Sequence, residues 1–243
     1  MTGSILKIIA AVTMFIDHAG VILFPQCGWM RIIGRIAFPL YAYCIAEGFR
    51  YTRNRLRYFL QIFLLGMGCQ IVYTVVEQTI YLGILLTFSL SIVLMAAADG
   101  AVKSLTGEKT WLEKIYEKTT GKTVHPTVNS FVCTLLFLFL LNGVWLLTQN
   151  LTVDYGFWGV LIPLFAFLPK ETWGQKLLFF GGMFALALEQ YMGGGFTTQF
   201  WSVLAVPILI LYNGRPGKLR MKCFFYIFYP AHMVFLYFLS FII

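Results

Sequence analysis

Long apolar segments follow one another along almost the whole chain, and this pattern constrains the fold more than any other feature. A helix needs about 20 mainly apolar residues to cross a bilayer, whereas a spanning strand needs about ten residues of alternating polarity. The segments here are of helical length and do not alternate, so they predict an all-α integral membrane protein with about nine transmembrane helices. These helices are predicted near residues 5–24, 32–49, 57–76, 80–98, 129–149, 154–169, 176–192, 197–213 and 223–243.

The composition excludes the common alternatives. The 243 residues are 59% hydrophobic and 12% charged, whereas a typical soluble domain is about 45–50% apolar and about 25% charged. An ordinary soluble enzyme and a disordered chain are both excluded on these grounds. We expect a single transmembrane domain over residues 1–243, with a polar cytoplasmic loop near 99–128 that contains one short helix.

The basic residues predict the orientation. Of the 18 lysines and arginines, all except Arg31 and Arg35 fall on one side of the predicted helices. Because cytoplasmic loops are rich in lysine and arginine, this asymmetry places the N-terminus in the cytoplasm and, after nine crossings, the C-terminus outside. We therefore attribute the net charge of +8 to membrane topology, and we do not expect nucleic acid as a partner. The five cysteines form no CxxC pair, so no metal site is expected.

A few ionisable residues lie inside the apolar segments, where each charge costs about 2.5–3.5 kcal/mol on insertion scales. Asp17 and His18 lie toward the outer end of the first helix. Arg31 and Arg35 stand one turn apart at the outer start of the second helix, and His232 is midway through the ninth. Such residues need a partner or a function, and their positions predict a hydrated cavity that opens to the outer side.

Purely structural roles also fit several of these residues. Arg31 could extend to the outer interface, and Arg35 could form an ion pair with Asp17 or Glu189. His232 could be a hydrogen-bonded histidine of the helix bundle. Asp17 and His18 are adjacent, so their side chains point about 100° apart on a helix and we expect no direct hydrogen bond between them.

The same residues suit a group-transfer reaction. A histidine in a polar cavity is the usual group for taking a proton from a nucleophile near neutral pH, and nearby arginines can stabilise an oxyanion. The sequence contains no GxSxG elbow, P-loop, HExxH or dinucleotide-binding fingerprint. The alternative is an ion- or proton-coupled transporter, since intramembrane Asp, His and Arg also form proton relays.

Several motifs in order resemble the TraX family, the membrane proteins typified by the pilin acetylase of conjugative plasmids. They are Leu6-Lys7-Ile8-Ile9-Ala10, Ile16-Asp17-His18-Ala19-Gly20, Arg31-Ile32-Ile33-Gly34-Arg35-Ile36-Ala37-Phe38-Pro39, Glu47-Gly48-Phe49-Arg50-Tyr51-Thr52-Arg53-Asn54 and Phe228-Tyr229-Pro230-Ala231-His232. The resemblance implies N-acetylation of an acceptor, with acetyl-CoA as the acyl donor and no metal. The acceptor it implies is a peptide, such as a pilin, or a glycan, and the location is the bacterial cytoplasmic membrane.

The resemblance also implies roles for individual residues. His18 becomes the general base, Asp17 a group that orients it indirectly, and His232 a second cavity histidine. Arg31 and Arg35 become scaffold or donor-binding groups. Several arginines at the cytoplasmic mouth suit the phosphates of CoA, although positive-inside anchoring explains each of them equally well; they are Arg50, Arg53, Arg55 and Arg57.

Two questions stay open within this resemblance, one about the mechanism and one about the function. The acetyl group could pass directly to the acceptor or rest briefly on a histidine. A non-catalytic partner in the assembly of a pilus or secretion apparatus is a third possible function, beside the acyltransferase and the transporter.

Overall fold

The computed structural model describes residues 1–168, 172–193, 198–215, 217 and 222–242, without the side chains of residues 76, 77, 172 and 222–225. Lys170, Lys218 and Arg220, which contribute to the predicted orientation, lie outside the described residues. Helices account for 81% of the described part of the chain.

The elements follow one another as a series of helices with one short pair of strands. The helices are α1 (Gly3–Ile22), α2 (Gly28–Gly34), α3 (Ala37–Tyr51), α4 (Arg55–Glu77), α5 (Ile84–Leu105), α6 (Trp111–Thr120), α7 (Pro126–Asn150), α8 (Gly156–Phe167), α9 (Thr172–Met192), α10 (Ala205–Ile210) and α11 (Lys222–Ser240), with a 3₁₀ helix at Thr198–Leu204 before α10. Strands β1 (Tyr81–Leu82) and β2 (Thr152–Val153) pair in parallel, with Tyr81 opposite Thr152.

The all-α membrane character that the sequence predicts is confirmed. Within the described residues, five helical segments are long and apolar enough to cross a bilayer: Gly3–Ile22, Gly28–Tyr51, Arg55–Val75, Ile84–Leu105 and Pro126–Asn150. Three shorter apolar helices, Gly156–Phe167, Thr198–Ile210 and Tyr226–Ser240, coincide with other predicted segments. The count of nine crossings and the sides of the two termini remain predictions.

The second predicted segment differs in detail from the observed helices. It begins at Gly28 rather than residue 32, and a turn at Arg35 and Ile36 divides it into α2 and α3. Pro39 explains this division, because a proline has no amide hydrogen and its ring collides with the carbonyl four residues earlier, here that of Arg35. In contrast, α8 continues through Pro163 and α9 continues through Gly181 and Gly182.

The chain divides into two compact units. The first unit contains residues Met1–Gly48 and Lys176–Ile243, and the second contains Phe49–Gln175. In the first unit, α1 packs against α2 and α11, and small and aliphatic residues of α1 such as Leu6, Ala10 and Ala19 are buried.

The second unit is built around α5, which packs against α4, α7 and α8. The buried hydroxyl of Ser91 donates to the carbonyl oxygens of Thr87 on its own helix and Val160 on α8, at 3.0 and 2.8 Å. The side chains of α7 that face away from this core are apolar and exposed, as Phe131 and Phe139 illustrate. Such a surface is suited to lipid.

Candidate functional site

Two histidines from opposite ends of the chain are in direct contact. Nδ1 of His18 on α1 lies 2.7 Å from Nε2 of His232 on α11, and the two rings stack with their centroids 4.9 Å apart. His232 is buried, whereas His18 is half-buried. The second nitrogen of His232, Nδ1, lies 2.8 Å from the carbonyl oxygen of Phe228.

These two contacts determine where the protons lie when both rings are neutral. A carbonyl oxygen can only accept, so Nδ1 of His232 carries a hydrogen and its Nε2 is left as an acceptor. Nδ1 of His18 therefore donates to that Nε2. The lone pair of His18 then resides on Nε2, for which no hydrogen bond is found within the described residues. His232 thus fixes the orientation of the His18 ring, with Nε2 as its unprotonated nitrogen.

Aromatic side chains surround the buried ring. Phe228 stacks on His232 with a centroid distance of 4.9 Å, and Tyr229 meets it edge-on at 5.9 Å. Phe15, one turn before His18 on α1, lies 6.5 Å from the same ring. This packing restricts the orientation of the imidazole, which is what a fixed hydrogen-bond direction requires.

A separate cluster of charges stands beside the histidines along α1. Arg35 donates to both carboxylate oxygens of Asp17 at 3.0 and 2.9 Å, and Arg31 forms an ion pair with Asp17 at 2.8 Å. The side chains of Asp17 and Arg35 are only 12% and 11% exposed, whereas that of Arg31 is 34% exposed. Two guanidinium groups and one carboxylate leave this cluster with one net positive charge. In the described part of the chain, Asp17 bonds to these arginines and not to His18.

Two glycines allow the helices to approach closely enough for this cluster to form. A Cβ atom placed on Gly34 would overlap the carboxylate of Asp17, and one placed on Gly20 would lie 2.7 Å from Cβ of Met30. The backbones of α1 and α2 therefore meet where neither position carries a side chain. Gly34, which stands out in the sequence only as part of a motif, is a positioning residue for the ion pair.

Of the arginines that the resemblance assigns to the acyl donor, Arg31 and Arg35 belong to the first unit, whereas those assigned to the phosphates of CoA belong to the second unit and differ in environment. Arg50 donates to the carbonyl oxygens of Ala166 and Phe167 at 3.1 and 2.7 Å, so it satisfies acceptors at the end of α8. Arg53 and Arg57 are exposed. The bonds of Arg50 give it a structural role, whereas the exposure of Arg53 and Arg57 suits a ligand.

The second unit also contains a paired acidic residue that the sequence motifs do not single out. Asp99 on α5 forms ion pairs with Arg55 and Lys103 at 2.5 and 2.9 Å, and Arg55 lies 4.4 Å over the ring of Phe49. The spacing of Asp99 and Lys103 by four residues is a sequence signal that could have identified part of this cluster.

Comparisons with known proteins agree with the sequence motifs. The TraX family, described as "TraX protein", matches residues 2–240. The "Probable fimbrial assembly protein FimC, serogroup H1" of Dichelobacter nodosus is 30% identical over 73 residues, which are 28% of this chain and 30% of that protein. The "Uncharacterized protein RP591" of Rickettsia prowazekii (strain Madrid E) is 37% identical over 84 residues, 32% of this chain and 34% of that protein. The chain thus spans about a third of the length of these curated relatives, and no solved structure matches it.

Proposed function

This chain belongs to the TraX family, and from that membership we propose that it is a membrane-embedded acetyltransferase. The reaction would move an acetyl group from cytoplasmic acetyl-CoA to an amine or hydroxyl of an acceptor outside the cytoplasm or in the membrane. The association of the family with pilin acetylation supports this proposal. The matched relative is described as a fimbrial assembly protein, which favours a peptide over a glycan as the acceptor.

The observation that carries the proposal is the hydrogen bond between His18 and His232. It leaves Nε2 of His18 with its lone pair, and it supplies an acceptor for the opposite side of the same ring. A general base needs this arrangement, because an oriented imidazole can take up a proton without first changing its tautomer. In the proposal, His18 is the catalytic residue and His232 is its positioning residue.

The proposed step balances protons and bonds. Nε2 of His18 takes the proton from the acceptor amine or hydroxyl as that atom attacks the thioester carbonyl. A new bond to the acetyl carbon forms and a tetrahedral oxyanion results. When the oxyanion collapses, the carbon–sulfur bond breaks, and the imidazolium of His18 returns its proton to the departing CoA thiolate.

The charged residues have supporting roles in this proposal. The cluster of Asp17, Arg31 and Arg35 retains one net positive charge, which would favour the oxyanion over the neutral carbonyl. Arg53 and Arg57 are exposed cations suited to the phosphates of CoA. Asp17 is held in ion pairs with two arginines, and this structural pairing favours the acyltransferase over a proton-coupled transporter.

The test compares His18→Ala with His125→Ala in the full chain, reconstituted in vesicles. His125 is the matched control, because it is exposed and its side chain forms no capping hydrogen bond. Release of CoA thiol from acetyl-CoA is measured with a fimbrial-subunit peptide amine as the acceptor. Loss of a general base lowers rates by about 10²–10⁴, so we expect that loss for His18→Ala and an unchanged rate for His125→Ala.

Two further measurements distinguish the proposed roles. His232→Phe retains an aromatic ring but removes the acceptor for Nδ1 of His18, so kcat should fall and its dependence on pH should change while KM for acetyl-CoA is retained. CoA should raise the thermal stability of the wild-type protein, as ligands that bind the folded state do. Undiminished transfer by His18→Ala would exclude the base, and the absence of stabilisation by CoA would exclude CoA as a ligand.

A further inference from the structure

Helix α6 connects two spanning helices at one membrane face. It lies between the end of α5 at Leu105 and the start of α7 at Pro126. Its first turn is capped by Thr110, whose hydroxyl accepts from the amide of Glu113 at 3.1 Å, and it ends at Gly121, which adopts φ of 69°. This short helix is therefore defined at both ends.

The acidic side of α6 faces the rest of the second unit. Glu113 accepts from the side-chain amide of Asn129 on α7 at 3.4 Å, and both carboxylate oxygens of Glu117 accept from Lys109 at 3.0 Å. Residues four apart share one side of a helix, so the contact of Glu113 with α7 turns the side of α6 that carries both half-buried glutamates toward α7, while Lys109 remains in the exposed loop before the helix.

The apolar side of α6 is partly exposed, although the indole of Trp111 also packs against α5, where a Cβ atom on Gly100 would lie 3.2 Å from its Nε1. Trp111, Ile115 and Tyr116 are 41%, 56% and 43% exposed. A helix on a water-soluble surface has the opposite arrangement, with apolar side chains buried and acidic ones in water. Apolar residues at the adjoining ends of the spanning helices are also exposed: Leu105 at the end of α5 is 70% exposed and Val128 at the start of α7 is 53% exposed.

Lysines flank the apolar side. Lys114 and Lys118 are exposed, and no ion-pair partner is found for either among the described residues. Lys122 follows directly after the helix and is also exposed. Tryptophan and tyrosine favour the headgroup region of a bilayer, and lysines beside them attract anionic headgroups.

We propose that α6 lies in the membrane interface as an anionic-lipid-binding helix. In this arrangement Trp111, Ile115 and Tyr116 insert at the boundary between headgroups and acyl chains. Lys114 and Lys118 bind the phosphates of acidic phospholipids such as phosphatidylglycerol. The predicted orientation agrees with this assignment, because it places this loop at the cytoplasmic leaflet, whose anionic lipids attract basic segments.

The test measures contact between Trp111 and lipid in the full protein. The protein is reconstituted in nanodiscs of phosphatidylcholine alone or of an equimolar mixture with phosphatidylglycerol, with bromines placed near the acyl carbonyl of one lipid. Subtracting the fluorescence of the Trp111→Phe variant isolates the signal of Trp111. We expect brominated phosphatidylglycerol to quench this signal more strongly than brominated phosphatidylcholine.

Charge variants establish whether the lysines cause this preference. The double variant K114Q/K118Q should lose about fivefold in relative affinity for phosphatidylglycerol for each lysine removed, whereas K114R/K118R should retain the preference. Far-UV circular dichroism verifies that each variant keeps its helices. A Trp111 signal that neither brominated lipid quenches would overturn the proposal, as would an unchanged preference in K114Q/K118Q. Neither result depends on acetyl transfer, so this proposal and the proposed enzymatic function can fail separately.

Discussion

Replacement of Asp17 by asparagine tests the physical account of the charge cluster most directly. The wild-type carboxylate accepts two hydrogen bonds from Arg35 and an ion pair from Arg31. The substituted amide would keep the size of the side chain but remove its charge, so both guanidinium groups would lose their ion pair with this residue. The cost depends on how far each arginine can reach water.

The magnitude follows from the exposure of the two arginines. The side chain of Arg35 is 11% exposed and cannot be solvated in place, whereas Arg31 is 34% exposed and can extend outward. Removing one partner of a buried ion pair costs about 3–5 kcal/mol. We therefore expect Asp17→Asn to lower the free energy of unfolding by about that amount, nearly all of it from Arg35. Arg31→Met, which leaves the Arg35 pair intact, should cost about 1 kcal/mol or less.

The assay is equilibrium unfolding in mixed micelles of a mild detergent and dodecyl sulfate, followed by circular dichroism. The double variant D17N/R35M removes the stranded charge as well, so it should recover most of the stability that D17N loses. If D17N is as stable as the wild type, or if R35M does not rescue it, the cluster does not stabilise the first unit in the way described.

Two further substitutions test specific contacts, each with a matched control. Gly34→Ala places a methyl group on the carboxylate of Asp17 and should lower the unfolding free energy by about 1–3 kcal/mol. Gly28→Ala on the same helix should be neutral or slightly stabilising, because nothing lies within 4 Å of its Cβ position; equal thermal stability of the two variants would contradict the close-approach argument. Arg50→Gln removes the hydrogen bonds to the end of α8 and should lower the unfolding free energy by about 1.5–3 kcal/mol in the same assay. The control Arg53→Gln, at an exposed position, should have little effect. A smaller loss of stability for Arg50→Gln than for Arg53→Gln would exclude the capping role of Arg50.

The sequence predicted the helical membrane character well because hydropathy acts locally. A segment of about 20 apolar residues partitions into the bilayer as a helix whatever surrounds it. Prediction was weaker where the helices are short or interrupted. Hydropathy alone does not reveal the division at Arg35 and Ile36, or the length of α8, which ends at Phe167 after 12 residues.

Part of the site was also accessible from sequence. The sequence offers Asp17 or Glu189 as the partner of Arg35, and the structure shows an ion pair with Asp17. That choice depends on the close approach of α1 and α2, which Gly20 and Gly34 permit. The ion-pair cluster around Asp99 likewise could not be identified without the position of Arg55, which lies on a different helix.

By itself, the sequence determined which segments partition into the bilayer and which ionisable side chains lie within those segments, because transfer into lipid depends on short stretches of residues. Membership of the TraX family, indicated by its ordered motifs, is confirmed over residues 2–240. Only the tertiary structure decided that His18 meets His232, 214 positions away. It also decided that the carbonyl oxygen of Phe228 accepts from Nδ1 of His232, which leaves Nε2 of His232 to accept from His18. A hydrogen bond forms only over about 3 Å, so such a pairing exists only once the packing of α1 against α11 has set the distance.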